Sequence, residues 1–237
     1  MRNVDPPPSA PHPPRPTADR PLRVLVTAGP THEPIDNVRF IGNRSSGAMG
    51  VAIAEAAADL GHRCTLLLGP TALTSLHSSV TTKRFRTTAD LQALLATEFP
   101  HCDVLIMAAA VADYRPKGGT TKGKLPRSAA GLTLRLEATP DLVAGVAKRR
   151  GPNQTVVGFA LEPRATMAAR AVRKLNRKGL DLIVANPLET MESPTINGTV
   201  FGIHGPVFST GRPLSKRAFA KRLVGLVIAH RRATLTR

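Results

Sequence analysis

The chain has 237 residues, 42% of them hydrophobic, enough to bury one full core but hardly two. A formal net charge of +17 attracts polyanions of every kind, yet with 3% aromatic residues and no Trp the chain lacks the stacking platforms that single-stranded nucleic acid uses. No apolar run is long enough to cross a bilayer, no signal-peptide stretch opens the chain, and two cysteines, Cys64 and Cys102, are too few for a disulfide framework, so a cytoplasmic protein with reduced core thiols is expected.

Residues 1–20 hold seven prolines and almost no bulky apolar side chains, which predicts a disordered arm over 1–21 and a single domain over 22–237. From Arg23 onward, short β-branched apolar runs predict buried strands at 24–28, 64–68, 80–85, 104–109, 156–159 and 182–185. Stretches of helical period fill the gaps: 48–60, ended by Gly61; 89–99, opened by Thr88; 141–149; 163–178, ended by Gly179; and 216–231, opened by Ser215. This alternation predicts a three-layer, Rossmann-like α/β fold, a mostly parallel sheet with helices on both faces. A pair at 199–203 and 207–209, after the turn Asn197-Gly198, predicts a small antiparallel addition near the C-terminus. Arg149, Arg150, Arg231 and Arg232 fall near predicted helix ends and read as solvated surface charge.

Ligands of open α/β sheets gather at the carboxyl ends of the strands. The first strand runs into Thr27-Ala28-Gly29-Pro30-Thr31, not G-x-G-x-x-G, and the second ends in Leu67-Leu68-Gly69-Pro70 without an acid for a ribose. Both departures weigh against an NAD(P)-dependent oxidoreductase. The glycines come later, in Asn43-Arg44-Ser45-Ser46-Gly47-Ala48-Met49-Gly50, directly before a helix, where backbone N–H groups and two hydroxyls can hold an anion. The same residues also suit a plain helix start, with Ser45 or Ser46 as the cap and the glycines as a turn. After the fourth strand, Ala108-Ala109-Ala110-Val111-Ala112 offers small side chains beside which a ligand can lie, and Asp113 can orient a metal or a donor group. Lys122 and Lys124 stand on a glycine-rich loop that either closes over phosphates or is a solvated turn. Lys174 and Lys178 share a helix face, able to reach a polyphosphate together or to serve as surface charge.

Several segments in one order carry more than each alone: Thr27-Ala28-Gly29-Pro30-Thr31-His32-Glu33-Pro34-Ile35-Asp36, Val38-Arg39-Phe40-Ile41, Asn43 to Gly47, Ala109-Ala110-Val111-Ala112-Asp113, Thr139-Pro140-Asp141, Val157-Gly158-Phe159-Ala160 and Asp181-Leu182-Ile183-Val184-Ala185-Asn186. From about Arg23 to the last helix, the chain resembles phosphopantothenoylcysteine synthetase in its bacterial, monofunctional form. The resemblance implies a ligase of coenzyme A biosynthesis that joins 4′-phosphopantothenate to L-cysteine. CTP activates the carboxylate as an acyl-cytidylate, and pyrophosphate and then CMP are released. By position, Asn43 matches the residue that holds the intermediate and assists its conversion, and Lys124 the loop lysine that acts in forming it. Gly29, Ser45, Gly47, Gly50, Met107, Ala108, Ala109, Asp113, Pro140, Asp141, Leu142, Val143, Phe159, Lys174, Lys178 and Asn186 match nucleotide-site positions. By the same match Arg39, Ala109, Ala110 and Asp113, with Asn43, would face phosphopantothenate.

The family implies a Mg²⁺ ion whose protein ligands it does not single out here, a homodimer with sites shared between chains, and a flavin-dependent decarboxylase, expected here on a separate polypeptide. The chain departs from the family at Ala48, where Lys or Arg is usual, at Thr195, where an acid is usual, and in Lys124-Leu125-Pro126-Arg127, which is less basic and keeps Lys122 as a candidate. The other reading, a basic nucleic-acid-binding protein, rests on charge alone, because no helix-turn-helix, zinc or aromatic motif is evident.

Overall fold

The computed structural model describes residues 20–236, so the arm expected over 1–21 lies outside the described residues except for its last two. The centre is an eight-stranded sheet: β1 (Arg23–Ala28), β2 (Arg63–Leu68), β3 (Val80–Arg84), β4 (Val104–Met107), β5 (Thr155–Glu162), β6 (Leu182–Pro187), β7 (Thr199–Gly202) and β8 (Gly205–Ser209). Its spatial order is β8-β7-β6-β5-β4-β1-β2-β3. β3 through β6 are parallel, and β7 and β8 are the antiparallel addition. The parallel part thus has the strand order 3-2-1-4-5-6 of a doubly wound sheet, which is Rossmann-like as expected.

Alternate strand residues send their side chains to opposite layers. Val24, Val26, Leu66 and Leu68 pack against α1 (Ala48–Asp59) and α5 (Lys216–Leu235). Leu25, Leu67, Leu105 and Ile183 pack against α2 (Thr88–Glu98), α3 (Leu142–Ala147) and α4 (Met167–Lys178). Burial on both faces is why these strands carry nearly continuous apolar runs, whereas β3, expected to be buried, is a largely exposed strand at the edge of the sheet.

Several boundaries move for local reasons. β4 stops at Met107: Ala108 still donates to the Thr27 carbonyl, but Ala109 donates to Thr27 Oγ1, and pairing returns only as the isolated Pro30–Ala110 bridge, where Ala110 donates to the Gly29 carbonyl. α2 is capped by Thr87, not opened by Thr88 as the cap. Thr87 Oγ1 accepts from the Asp90 N–H while Asp90 accepts from the Thr87 N–H, a reciprocal capping box. α3 is shorter than 141–149, with Asp141 as its N-cap, and a 3₁₀ turn, Arg164–Thr166, precedes α4. α5 runs on to Leu235, and Ser215 caps it as expected. Three short antiparallel pairs carry no legible period: His32–Pro34 with Phe40–Gly42, Tyr114–Pro116 with Leu136–Ala138, and Thr195–Ile196 with Leu214–Ser215.

Arg231 is the main correction among the charges. It is 5% exposed, not solvated: its guanidinium donates to the carbonyls of Asn153 and Asp103 and pairs with the buried Asp103 carboxylate. Arg150 pairs with Asp181. Cys64 and Cys102 are free and buried, and burial pushes both thiols up to about 12, as inert core residues require.

Candidate active site

β1 and β4 are neighbours whose chains leave the sheet in opposite directions, to β2 on one side and β5 on the other. A crevice opens beyond the carboxyl ends of two such strands, and here it is a cleft of about 400 Å³.

One wall is the loop from Asn43 into α1. Gly50 sits on the first turn where α1 crosses β1, and a Cβ there would lie 2.4 Å from the Ala28 Cβ and 3.0 Å from the Thr27 carbonyl oxygen. Gly47, the N-cap, has φ +76°, a left-handed backbone that L side chains rarely adopt. Gly29 does not line the cleft; its backbone lies directly under Gly47, 3.3 Å from where a Cβ would be. No side chain caps α1. Ser45 and Ser46 only reach back, at 3.4 Å, to the N–H groups of Gly47 and Ala48. The alternative of a serine-capped helix start therefore gives way to an uncapped helix facing the cleft, which leaves donors for an anion.

The second wall is the strap Met107 to Asp113, stitched to β1. Thr31 donates its N–H to the Ala110 carbonyl, and Thr31 Oγ1 accepts from the Ala112 N–H. Thr31 is held beneath by the buried pair Glu33 and Thr88, whose N–H and hydroxyl both donate to Glu33 Oε1 at 2.8 and 2.7 Å. The segment 27–36 is thus a scaffold for the strap. Asn43 stands at the rim: its Nδ2 donates to the carbonyls of Val111 (2.9 Å) and Ala110 (3.3 Å), and its Oδ1 takes no hydrogen bond from a described residue.

The far side comes from three elements. Asp141 caps α3 and pairs with Lys178 at 3.0 Å. Phe159 is half-buried on β5, and Asn186 on β6 donates to Thr190 at 2.6 Å. Ser45, Gly47, Gly50, Met107 to Ala110, Asp113, Pro140 to Val143, Phe159, Lys178 and Asn186 all line the one cleft.

Five expected residues do not line it. Gly29 supports it from below, and Asn43 edges it. Lys174 is paired with the buried Glu162 at 2.6 Å, and burial, which alone would raise that acid, is outweighed by hydrogen bonds from Lys174 and Arg170, so Glu162 is held low. Arg39 pairs with Asp36 at 2.9 Å and donates to the Leu125 carbonyl. Lys124 is exposed beside Leu125, on a segment clipped to the same turn, since Asp36 accepts the Leu125 N–H and Gly123 accepts from the Asn37 N–H. Lys122 is likewise exposed and outside the cleft.

Two features were missed. Arg44 and Glu192 form an exposed ion pair at 2.5 Å across the mouth, and Glu192 is the one non-glycine described residue with positive φ, 58°. Lys216, the first residue of α5, also lines the cleft, and burial lowers its pKa. Arg44 was visible in the loop motif, whereas Lys216 follows a helix cap and only the sheet topology brings it here. Among the described residues no three acids, cysteines or histidines cluster as a metal site, and no helix is long and apolar enough to cross a membrane.

Residues 20–230 match the family described as the DNA/pantothenate metabolism flavoprotein C-terminal domain. A crystal structure of the C-terminal domain of the coenzyme A biosynthesis bifunctional protein CoaBC is 34% identical with TM-score 0.75, covering 90% of this chain and 96% of that one. The CoaBC protein of Bacillus subtilis is 38% identical over 179 residues, 76% of this chain and 42% of that protein. A cysteine/cysteine sulfinic acid decarboxylase from an unknown prokaryotic organism is 43% identical over 167 residues, 70% of this chain and 46% of that protein. The chain spans about half the length of the curated relatives it matches.

Proposed function

The chain belongs to the family of DNA/pantothenate metabolism flavoprotein C-terminal domains, and on that premise we propose that it is a ligase joining 4′-phosphopantothenate to L-cysteine at the expense of CTP. The observation that carries the reading is the single cleft at the sheet's switch point, walled by the uncapped start of α1 and the alanine strap.

In this reading the triphosphate lies against the start of α1, where free N–H groups face it and Gly47 and Gly50 permit close approach. The phosphopantothenate carboxylate rests on the strap at Ala109 and Ala110. A carboxylate oxygen attacks the α-phosphorus, pyrophosphate leaves, and an acyl-cytidylate remains. The cysteine amine then attacks the acyl carbon, loses a proton, and CMP leaves. Asn43 serves the second step: its amide nitrogen is spent on two carbonyls, which fixes Oδ1 as a free acceptor at the rim for the incoming amine.

Mg²⁺ typically takes one or two carboxylates plus substrate phosphates, and Asp113, an exposed lining carboxylate with no cation beside it among the described residues, fits that donor set. When bound, the ion neutralises phosphate charge. Lys124 reaches the reacting groups only if its segment crosses to the cleft or a second copy supplies it. A homodimer agrees with the exposed apolar side chains of Val38, Phe40, Tyr114 and Leu136 beside that segment.

The test is pyrophosphate release from CTP on adding 4′-phosphopantothenate, followed by CMP and product once cysteine is present. Absence of turnover with CTP and with ATP overturns the reading, and CO₂ release instead would favour the decarboxylase activity named for one relative. In Asn43→Asp a carboxylate would face two carbonyl oxygens and swing away. Pyrophosphate should still form while transfer to cysteine falls about 100-fold, the scale of a misplaced group.

A further inference from the structure

Lys216 is set apart from every other cation around the cleft. Lys178 is paired with Asp141, Arg44 with Glu192, and Lys174, just outside, with Glu162. The Lys216 ammonium has no hydrogen bond or ion pair among the described residues, although the residue lines the cleft. Its position follows from the packing of α5 beside α1 in the same core layer. In its last two turns α5 places Arg231 on the carbonyls of Asp103 and Asn153, just ahead of β4 and β5, so it runs from the carboxyl edge of the sheet to the amino edge, as α1 does. The two helices therefore begin at the same cleft.

Nothing in the fold accounts for a lysine there. A cation as the first residue of a helix opposes the helix dipole, and no acid stands in the first turn of α5 to offset it. Burial also works against its charge and lowers its pKa. An anion in the cleft would offset both costs.

We propose that Lys216 holds the phosphate chain of the nucleotide, a binding residue supplied from α5 opposite the start of α1. The inference rests on the reading of the cleft as a nucleoside triphosphate site.

The experiment compares wild type, Lys216→Gln and Lys216→Arg for CTP, cytidine and inorganic triphosphate by calorimetry, with a thermal midpoint for each protein without ligand. The expected result is about a 10- to 100-fold loss of CTP and triphosphate affinity in Lys216→Gln, the scale of one charged hydrogen bond. Cytidine binding should be unchanged, affinity partly restored in Lys216→Arg, and the midpoint equal or higher in Lys216→Gln. Unchanged CTP and triphosphate binding overturns the proposal while leaving the ligase reading intact. Equal losses for cytidine and CTP, or a lowered midpoint together with lost binding, make Lys216 structural and also overturn it. If wild type binds triphosphate but not CTP, and Lys216→Gln loses the triphosphate, the nucleotide reading fails and the phosphate role stands.

Discussion

Gly50 and Gly47 perform different tasks in one loop. Gly47 supplies a left-handed turn, while Gly50 supplies room, because α1 and β1 approach too closely there for any side chain. Gly50→Ala keeps a good helix former, so propensity alone predicts a gain. The 2.4 Å approach to Ala28 reverses the sign: overpacking should cost about 1–3 kcal/mol in urea denaturation and push the start of α1 off the cleft, weakening nucleotide binding. A variant as stable as wild type would disprove the close crossing. The glycines were legible as a loop before a helix. Their division of labour was not, because spacing alone does not tell a turn glycine from a contact glycine. Glu33 was legible only as part of a motif. Its task, gripping Thr88 across 55 positions, belongs to the folded chain.

At the scale of elements, the alternation of β-branched runs and helical periods carried the sheet and its layers, since the central strands are buried on both faces while the edge strands β3 and β8 are largely exposed. The paired strands of two or three residues were invisible because so few residues show no period. Lys174 illustrates a different gap: its helix face was readable, but its partner Glu162 arrives from β5. The turn Asp36 to Arg39 shows how one such element governs another. Burial alone would raise the pKa of Asp36, yet N–H donors from Arg39, Val38 and Leu125 and the charge of Arg39 pull it lower. Asp36→Ala should release the segment around Gly123 and Leu125, and limited proteolysis should nick it at least several-fold faster than in wild type. Equal cleavage rates would mean that the clip is dispensable.

For the whole molecule, charge is the dominant trait, and its worst-placed member is Arg231, buried with Asp103 at 3.7 Å where Arg20 and Arg23 also converge. Asp103→Asn leaves that guanidinium without its counter-charge and should cost about 3 kcal/mol of unfolding free energy, as for other broken buried pairs. A loss below a tenth of that would show that the two carbonyls suffice. The pH dependence has a definite sign. Burial lowers His32 and His62, with Arg86 and Arg232 adding to it, so the unfolded chain binds more protons and stability declines as pH falls below about 6.5. Asp36, Asp103 and Glu162 are held low, so their contribution is complete above about 4 and is lost as pH falls through their depressed values. Thermal midpoints from pH 7 to 3 should fall in both windows, and a midpoint that rises on acidification would contradict the assignment. The cleft draws on residues from Arg44 to Lys216, spanning most of the chain, so no short segment contains it. A ligand there therefore resists global unfolding as well as local fraying. At 100 times its dissociation constant it should add about 2.7 kcal/mol to the unfolding of the domain, and occupancy becomes a readout of whether the two ends of the fold have met.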